Sequence, residues 1–382
     1  MTFKRYSSGG IAALAALAFL ILGVTAQATT PEQLAAEISG EENSPPGTVP
    51  VPDPDLHALA LGMLPIDGLL LVPESTNDRV MAFDPMTGDL VDPDFIPADA
   101  ANLSTPIHAI LSADGLSILV SDQLEDVVQQ YDLTGTFVGT FAPAGGVDNS
   151  ILDNVRGIAL RPNGNLLVTV GGGGNDDAVA EFDTAGNFLG NFVTIGAAGL
   201  DSPFDVLEIS MGGGSLAVGE FLVGGITSDA IHHFDAAGAP LADLAPIDTF
   251  PEQLVQAANG NILIANFIGA QEGIMELDNT GALVGTYDPA SLGGFRGVYE
   301  LPNGNILTTN GGGVHEIDRA GNLVETKIAG VSGRFIQLVG GGAPPEPPTP
   351  VVEVPTLSTW GFLLLVVALL AGASFMLRRR RV

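Results

Sequence analysis

The apolar positions of this chain fall in short clusters, separated by turns rich in glycine, asparagine and aspartate. Between the two ends, no long stretch has the 3.6-residue period of an amphipathic helix. One turn recurs six times: an aromatic or aliphatic residue, Asp, two or three further residues, Gly, and then an apolar strand. Asp can bond its own turn and Gly supplies positive φ, so each copy predicts a hairpin. The copies begin at Phe83, Tyr131, Phe182, Phe234, Leu277 and Ile317.

A second turn, of the Asn-Gly kind, precedes an apolar strand upstream of each copy. Each period of about 40–52 residues therefore holds four antiparallel strands, which is typical of a propeller blade. Six periods predict an all-β, six-bladed β-propeller over residues 55–340. The second turns end at Gly68, Gly115, Gly164, Gly213, Gly260 and Gly304.

The two ends of this repeat predict how the ring closes. Arg334–Val339 has the pattern of a first strand, but no further strands follow it. The first copy has an irregular first strand, at residues 56–64. We expect residues 334–339 to complete the N-terminal blade. Seven blades are the alternative, if residues 55–64 and 331–340 belong to different sheets.

The chain begins and ends with apolar segments of a different kind. Lys4 and Arg5 precede the apolar stretch Ile11–Val24, and Ala26-Gln-Ala28 is a small-x-small cleavage site. Residues 1–28 therefore have the pattern of a secretory signal peptide. Residues 360–377 are long enough for a transmembrane helix, and the arginines at 378–381 would stay on the cytoplasmic side.

A short box precedes that apolar helix, and its residues are Pro355, Thr356, Leu357, Trp360 and Gly361. Box, helix and arginines together resemble the IPTL-CTERM sorting signals of Gram-negative bacteria, which are related to PEP-CTERM. The resemblance covers residues 354–382, with Val354 where the family name has Ile. It implies processing by an exosortase-type membrane enzyme and delivery to the cell surface or extracellular matrix, after transient anchoring in the inner membrane. A plain membrane anchor is the alternative, but it leaves the box unexplained.

Two linking segments flank the predicted propeller. Residues 29–54 contain several prolines and few apolar anchors, which predicts a flexible lead segment. Residues 341–353 are rich in proline and predict an extended spacer. Such a spacer would hold the propeller away from the surface to which the tail is attached.

The charge of the chain excludes one class of partner. Two of the 13 Lys and Arg lie in the signal peptide and four in the terminal cluster, while all 44 Asp and Glu lie between these signals. So acidic a surface repels nucleic acid, which binds proteins through Lys and Arg. It favours solubility, or alternatively divalent cations held between carboxylates. Because there is no cysteine, packing alone must hold the fold.

The segment Leu71–Asp84 contains Asn77-Asp-Arg79-Val followed by an aromatic-Asp turn. It resembles the NHL blade and the related YVTN-type and gluconolactonase-like propellers. Propellers of these families include binding proteins, lyases, lactonases and scaffolds, so the resemblance implies a fold and no particular activity.

One column of polar residues emerges when the first strands are aligned on their Asn-Gly turns. First strands line the channel of a propeller, so these residues are expected to form a ring near one mouth. The guanidiniums could hold a small anionic ligand; alternatively, they pair with the acidic members across blades. The column is His108, Arg156, Asp205, Glu252, Arg296 and Arg334.

A second column follows the second strands: Glu74, Asp122, Glu220, Asn266 and Asn310. The gluconolactonase-like resemblance implies that the first four could hold Ca²⁺ or another hard cation. Alternatively, these residues simply begin loops, where Asp and Asn are favoured.

Few residues indicate catalysis. No Ser-His-Asp spacing, His-Glu-x-x-His motif or phosphate loop is recognisable, and strand alternation predicts that one of His232 and His233 points outward. The leading hypothesis is a non-catalytic, surface-sorted binding or scaffold module for a matrix polysaccharide, an envelope protein or a small anion. The alternative is a metal-dependent hydrolase or lyase of gluconolactonase-like type, with His108 as base.

Overall fold

The computed structural model describes residues 64–65, 67–248 and 250–341, and within them the chain is an all-β propeller of six four-stranded antiparallel sheets. The predicted fold class and blade number are thereby confirmed. The strands are β1 Leu69–Glu74, β2 Arg79–Phe83, β3 Leu90–Ile96, β4 Pro106–Leu111, β5 Ser117–Asp122, β6 Val127–Asp132, β7 Phe137–Ala142, β8 Val155–Leu160, β9 Leu166–Val170, β10 Ala178–Phe182, β11 Phe188–Val193, β12 Pro203–Glu208, β13 Phe221–Gly225, β14 Ala230–Phe234, β15 Ala245–Pro246, β16 Pro251–Gln256, β17 Ile262–Asn266, β18 Gly273–Leu277, β19 Leu283–Tyr287, β20 Gly297–Glu300, β21 Ile306–Asn310, β22 Gly313–Ile317, β23 Leu323–Ala329 and β24 Gln337–Val339.

The repeated Asp turn has the same geometry in all six blades. Its carboxylate accepts the backbone N–H two residues ahead, at 2.6–2.9 Å. The glycine that closes each turn has positive φ. At Gly135, a Cβ would also lie 1.9 Å from the Phe95 carbonyl oxygen of the preceding blade. The turn therefore connects the outer strands and packs one blade on the next.

The hydrophobic core lies between neighbouring sheets. Leu71 and Val80 of the first blade pack with Ala109 and Val120 of the second, for example, and all four side chains are fully buried. Similar apolar clusters lie between the other blades. The sequence contains no cysteine, so apolar packing between neighbouring sheets stabilises the ring without disulfide bonds.

The ring closes between the two ends of the repeat, as predicted. β24 pairs antiparallel with β1, with Leu69 opposite Val339 and Leu71 opposite Gln337. The first blade therefore has the order β24-β1-β2-β3. The predicted closing strand began at Arg334, whereas regular pairing begins only at Gln337 because an extra residue interrupts the ladder before it.

The predicted signal peptide, lead segment, spacer and sorting signal, with the helix proposed for residues 360–377, lie outside the described residues and stay predictions. Across residues 64–341, with the gaps given above, no helix is long and apolar enough to cross a membrane.

Candidate ligand site in the central channel

A β-bulge near the start of the inner strands determines which side chains enter the channel. In β4, Pro106 pairs with Asp122 but His108 pairs with Ser121, so one extra residue lies between the two pairs. β8, β12 and β16 have the same interruption. Because a bulge re-aims the side chains beside it, two successive residues of each of these four inner strands contribute to the channel.

The bulge separates the six predicted ring residues into two layers. Arg156, Glu252, Arg296 and Arg334 occupy equivalent positions, and we call these four the arginine layer. In the second and fourth blades that position is taken by Ile107 and Phe204. His108 and Asp205 come one residue later, in register with Gln253, and we call these three the joint layer. The prediction of one six-membered ring is therefore corrected to two adjacent layers.

Glu252 is the acidic member of the arginine layer and is 2% exposed. Its Oε1 lies 4.0 Å from Nε of Arg296, and its Oε2 has no hydrogen bond within the described residues. Burial raises the pKa of Glu252 to about 7, although the charges of Arg334, Arg296 and Arg156 act in the opposite direction. Three blades thus place guanidiniums around one buried carboxylate.

Arg156 is held by the next blade and is only 6% exposed. Its Nη1 donates to the Pro203 carbonyl at 3.0 Å and to Ser202 Oγ at 2.9 Å, and its guanidinium lies 4.8 Å from the Phe204 ring centroid. Burial lowers the pKa of Arg156 to about 10, so the group stays charged at neutral pH. Gly171 makes room for it, since a Cβ there would lie 2.5 Å from its Cζ.

The other two guanidiniums are anchored by serines. Arg296 Nη1 donates to Ser332 Oγ at 2.6 Å, and Arg334 Nε donates to Ser75 Oγ at 3.0 Å. Burial and the nearby Arg296 charge lower the pKa of Arg334 to about 10. Nε of Arg156 and Nε of Arg296 are buried and make no hydrogen bond among the described residues. The layer therefore has donor capacity that the protein does not use.

In the joint layer, His108 connects three blades. Its Nδ1 accepts the Ile158 N–H at 3.3 Å, so Nε2 carries the proton that it shares with Gln337 Oε1 at 3.2 Å. Burial lowers the pKa of His108 to about 4, which keeps the ring neutral. A neutral, hydrogen-bonded imidazole of this kind aligns inner strands.

Asp205 and Gln253 have the same role. Asp205 Oδ2 accepts the Leu254 N–H at 2.9 Å, and Gln253 Oε1 accepts the N–H groups of Val298 and Ile336, each at 2.9 Å. Burial raises the pKa of Asp205 to about 8, against the effect of its backbone hydrogen bonds. Gln253 was not singled out by sequence, because an amide in an inner strand carries no chemical signature. A cavity of about 280 Å³ opens beside this layer.

Apolar side chains from the same inner strands pack together beside the polar residues of the two layers. Phe204 packs on Phe335 with ring centroids 5.9 Å apart, and Phe335 makes an edge contact with His108 at 5.2 Å. Ile107 joins the same cluster. The cluster therefore joins inner-strand residues of the first, second and fourth blades.

Two of the predicted metal ligands are saturated by backbone N–H groups. Glu74 accepts the N–H groups of Thr76 and Ser332 at 2.6 and 3.0 Å, and Asp122 accepts that of Ser104 at 2.6 Å. Both carboxylates hold the loop that follows their strand.

The other two predicted metal ligands, Asn266 and Glu220, lie at opposite ends of their second strands. Asn266 ends β17, and its Oδ1 is buried without a partner among the described residues. Glu220 precedes β13, at the opposite end of its second strand, because the strand predicted after Gly213 begins only at Phe221. Within the described part of the chain, no three His, Cys, Asp or Glu side chains are grouped to hold a metal ion.

His232 and His233 correct a further expectation. Strand alternation does send them to opposite faces, but both are buried, at 2% and 4% exposure. His232 contacts Asp243 and His233 contacts Glu220. The ring that was predicted to point outward is therefore not in solvent, because a residue from outside the strands, Asp243 or Glu220, lies against each ring.

No family model and no curated protein matches the chain. Solved structures match by fold: a chain of a nidogen–laminin complex has a TM-score of 0.55 at 15% identity, covering 72% of this chain and 99% of that one. A protein of unknown function from Bacteroides caccae has a TM-score of 0.50 at 17% identity, covering 71% and 98%. A streptogramin B lyase has a TM-score of 0.47 at 16% identity, covering 69% and 81%. The neighbours thus include propellers of lyase and gluconolactonase type, and identities this low show the fold alone.

Proposed function

We propose that this chain is an exported binding propeller that takes the carboxylate of a small ligand, of the sugar-acid type, at its arginine layer. The observation that carries the proposal is the meeting of guanidiniums from three blades around Glu252, with the buried Nε donors of Arg156 and Arg296 making no hydrogen bond within the described residues. Unpaired buried donors are costly, and a ligand oxygen would relieve that cost.

The electrostatics favour a carboxylate at this place. The chain carries a formal charge of −31, so most of its surface repels anions. The arginine layer has three positive groups and one carboxylate, and the pKa of that carboxylate is raised to about 7 by burial. Glu252 can therefore become neutral at little cost when a second carboxylate enters. The alternative, in which the three arginines serve only to pair with Glu252, predicts no ligand at all.

The alternative function, a metal-dependent hydrolase or lyase of gluconolactonase-like type, has one supporting observation. Asn266 Oδ1 and Glu252 Oε2 are both buried oxygens without partners among the described residues, and Asn266 is paired with Pro251, next to Glu252. Three neighbouring guanidiniums oppose a cation at this position. Metal analysis of the purified protein decides between the two: a stoichiometric divalent ion would support the hydrolase.

Calorimetric titration with gluconate tests the binding proposal, with glucose as the uncharged counterpart. We expect gluconate to bind with a Kd of about 1 mM or tighter and glucose not to bind. Arg296→Gln should weaken gluconate about tenfold or more, because one charge-assisted hydrogen bond contributes about 1.5–3 kcal/mol.

Arg161→Gln is the matched control. Arg161 also lies over a phenylalanine ring, 4.6 Å from the centroid of Phe192, and pairs with Glu181, but it is outside the arginine layer. Its substitution should leave gluconate binding unchanged. Equal losses in Arg161→Gln and Arg296→Gln, or equal binding of gluconate and glucose, would contradict a carboxylate site in the channel.

Export and sorting belong to the same proposal and rest on the sequence of residues 1–28 and 354–382. The partner would be an exosortase-type enzyme, and the destination the cell surface or matrix of a Gram-negative bacterium. Intact mass measurement of the protein recovered from the medium or cell surface tests this. The expected product lacks the signal peptide and the terminal arginines; a cytoplasmic product of full mass would contradict it.

A further inference from the structure

A serine, a histidine and an aspartate form a hydrogen-bonded chain in the fourth blade, separate from the arginine layer. Ser228 Oγ lies 2.8 Å from His232 Nε2, and His232 Nδ1 lies 3.0 Å from Asp243 Oδ1. Ser228 is half-buried, His232 is buried, and the Asp243 side chain is 42% exposed. These are the distances at which a hydroxyl nucleophile, a base and an orienting carboxylate operate.

The chemistry of the three side chains determines which atom donates and which accepts in each hydrogen bond. An ionised Asp243 can only accept, so His232 Nδ1 carries the hydrogen of that bond. In the neutral ring, Nε2 is then an acceptor, and the Ser228 hydroxyl must donate to it. Ser228 Oγ also accepts the Asp201 N–H at 3.3 Å, which fixes its orientation. The neutral state is therefore the one in which His232 can remove the serine proton.

The hairpin between β13 and β14 brings these groups together. Ser228 lies in the turn and His232 in β14, where the Leu244 N–H bonds the Ile231 carbonyl at 2.9 Å and holds the segment with Asp243 alongside. Gly225 is essential to this arrangement, since a Cβ there would lie 2.0 Å from Ser228 Oγ.

Gly225 stands at a position where two other blades have a carboxylate. The equivalent residues Glu74 and Asp122 use their carboxylates to accept backbone N–H groups two and three residues ahead in the turn. In the fourth blade, glycine replaces the carboxylate. The Thr227 N–H donates to the Asp201 carbonyl at 3.4 Å instead, whereas no hydrogen bond among the described residues uses the Ser228 N–H. That N–H belongs to the residue that carries the nucleophile, where a donor stabilises a developing oxyanion.

We propose that Ser228, His232 and Asp243 hydrolyse small acyl esters, as an activity distinct from carboxylate binding in the channel. Ser228 Oγ attacks the ester carbonyl and its proton passes to His232 Nε2. The bond to the alcohol oxygen then breaks, and the alcohol leaves with that proton. Water, deprotonated by His232 Nε2, then attacks the carbonyl carbon of the acyl-serine; the bond to Ser228 Oγ breaks, Oγ takes the proton back from His232, and the acid is released. Asp243 is a positioning residue that holds the imidazole in the required tautomer.

The charges around Ser228 define the substrate class. Asp201, Asp229 and Asp243 are all exposed beside it, and the chain as a whole is strongly acidic. Such a field repels anionic esters and accepts neutral ones. Exposure of the turn favours a short acyl group that needs no deep pocket.

Hydrolysis of p-nitrophenyl acetate by the full-length protein tests this inference. Ser228→Ala and His232→Gln should each reduce the rate above background by roughly 100-fold or more, and Asp243→Asn by a smaller factor. A fluorophosphonate probe should add one label to the wild type, at the peptide containing Ser228, and none to Ser228→Ala.

His315→Gln is the matched control. His315 occupies the position of His232 in the sixth blade, but its ring nitrogens contact Asn310 and Thr326 in place of a serine and a carboxylate. It should leave the rate unchanged, and thermal unfolding confirms that each variant is folded. Wild-type protein that is folded but no faster than buffer, or turnover and labelling retained in Ser228→Ala, would overturn the inference. Gluconate binding is unaffected in either case, so the two proposals fail separately.

Discussion

The arginine layer and the joint layer are built from adjacent residues of the same inner strands, yet they use polar side chains in opposite ways. In the joint layer, His108, Asp205 and Gln253 each accept a backbone N–H from another blade. In the arginine layer, Glu252 has charged neighbours but no hydrogen bond to its Oε2 within the described residues. The contacts of the joint layer hold neighbouring blades together. Those of the arginine layer leave hydrogen-bonding groups that a ligand could use.

The difference shows why burial and perturbed pKa alone do not identify a ligand site. Asp205 and Glu252 are both 2% exposed, and burial raises the pKa of both. Asp205 accepts two N–H groups, and no cation among the described residues perturbs its pKa, whereas Glu252 faces three guanidiniums. The hydrogen bonds that a group already makes separate the two roles.

The largest effect expected from this comparison concerns the packing of the joint layer. A Cβ at Gly157 would lie 2.4 Å from Asp205 Oδ1 and 2.7 Å from its Cα. Gly157→Ala should therefore lower the free energy of unfolding by about 3 kcal/mol, as measured by denaturant titration. Gly139→Ala is the control, since nothing lies within 4 Å of a Cβ there, and its cost should be within about 1 kcal/mol. An equal loss of unfolding free energy in the two variants would mean that the inner strands do not approach as closely as described.

The second effect is a pH dependence of stability from Asp205. Its pKa is about 8 in the folded protein, against about 4 in an unfolded chain. The folded state therefore binds the proton more tightly, no penalty applies below about pH 4, and stability is lost as pH rises from about 4 to 8. We expect a loss on the order of 1 kcal/mol per pH unit in the middle of this range, measured by denaturant titration.

Asp205→Asn provides the control for that measurement. Asn keeps one acceptor oxygen and cannot ionise, so the variant starts less stable but should lose markedly less stability between pH 5 and 8. Parallel curves for the two proteins would show that Asp205 is not the group responsible.

The sequence predicted the fold better than it predicted the site. The Asp and Asn-Gly turns act locally, so they identified the blades and the closure of the ring. The bulge in the inner strands adds one residue without a sequence signal, and it shifted His108 and Asp205 out of the arginine layer. The irregular segment before Phe221 likewise displaced Glu220. The Ser228–His232–Asp243 chain has no familiar spacing, and only the hairpin and its flanking loop bring its members together.

The most direct test of the account is the affinity for gluconate as a function of pH, in the wild type and in Glu252→Gln. The pKa of Glu252 is about 7, and a second carboxylate beside it would raise that pKa further, so binding should take up one proton. Wild-type affinity should be constant below pH 7 and should fall about tenfold per pH unit above it. Glu252→Gln should bind at least as tightly and lose this dependence. The same pH profile in both proteins, or weaker binding in the variant, would contradict a ligand carboxylate beside Glu252.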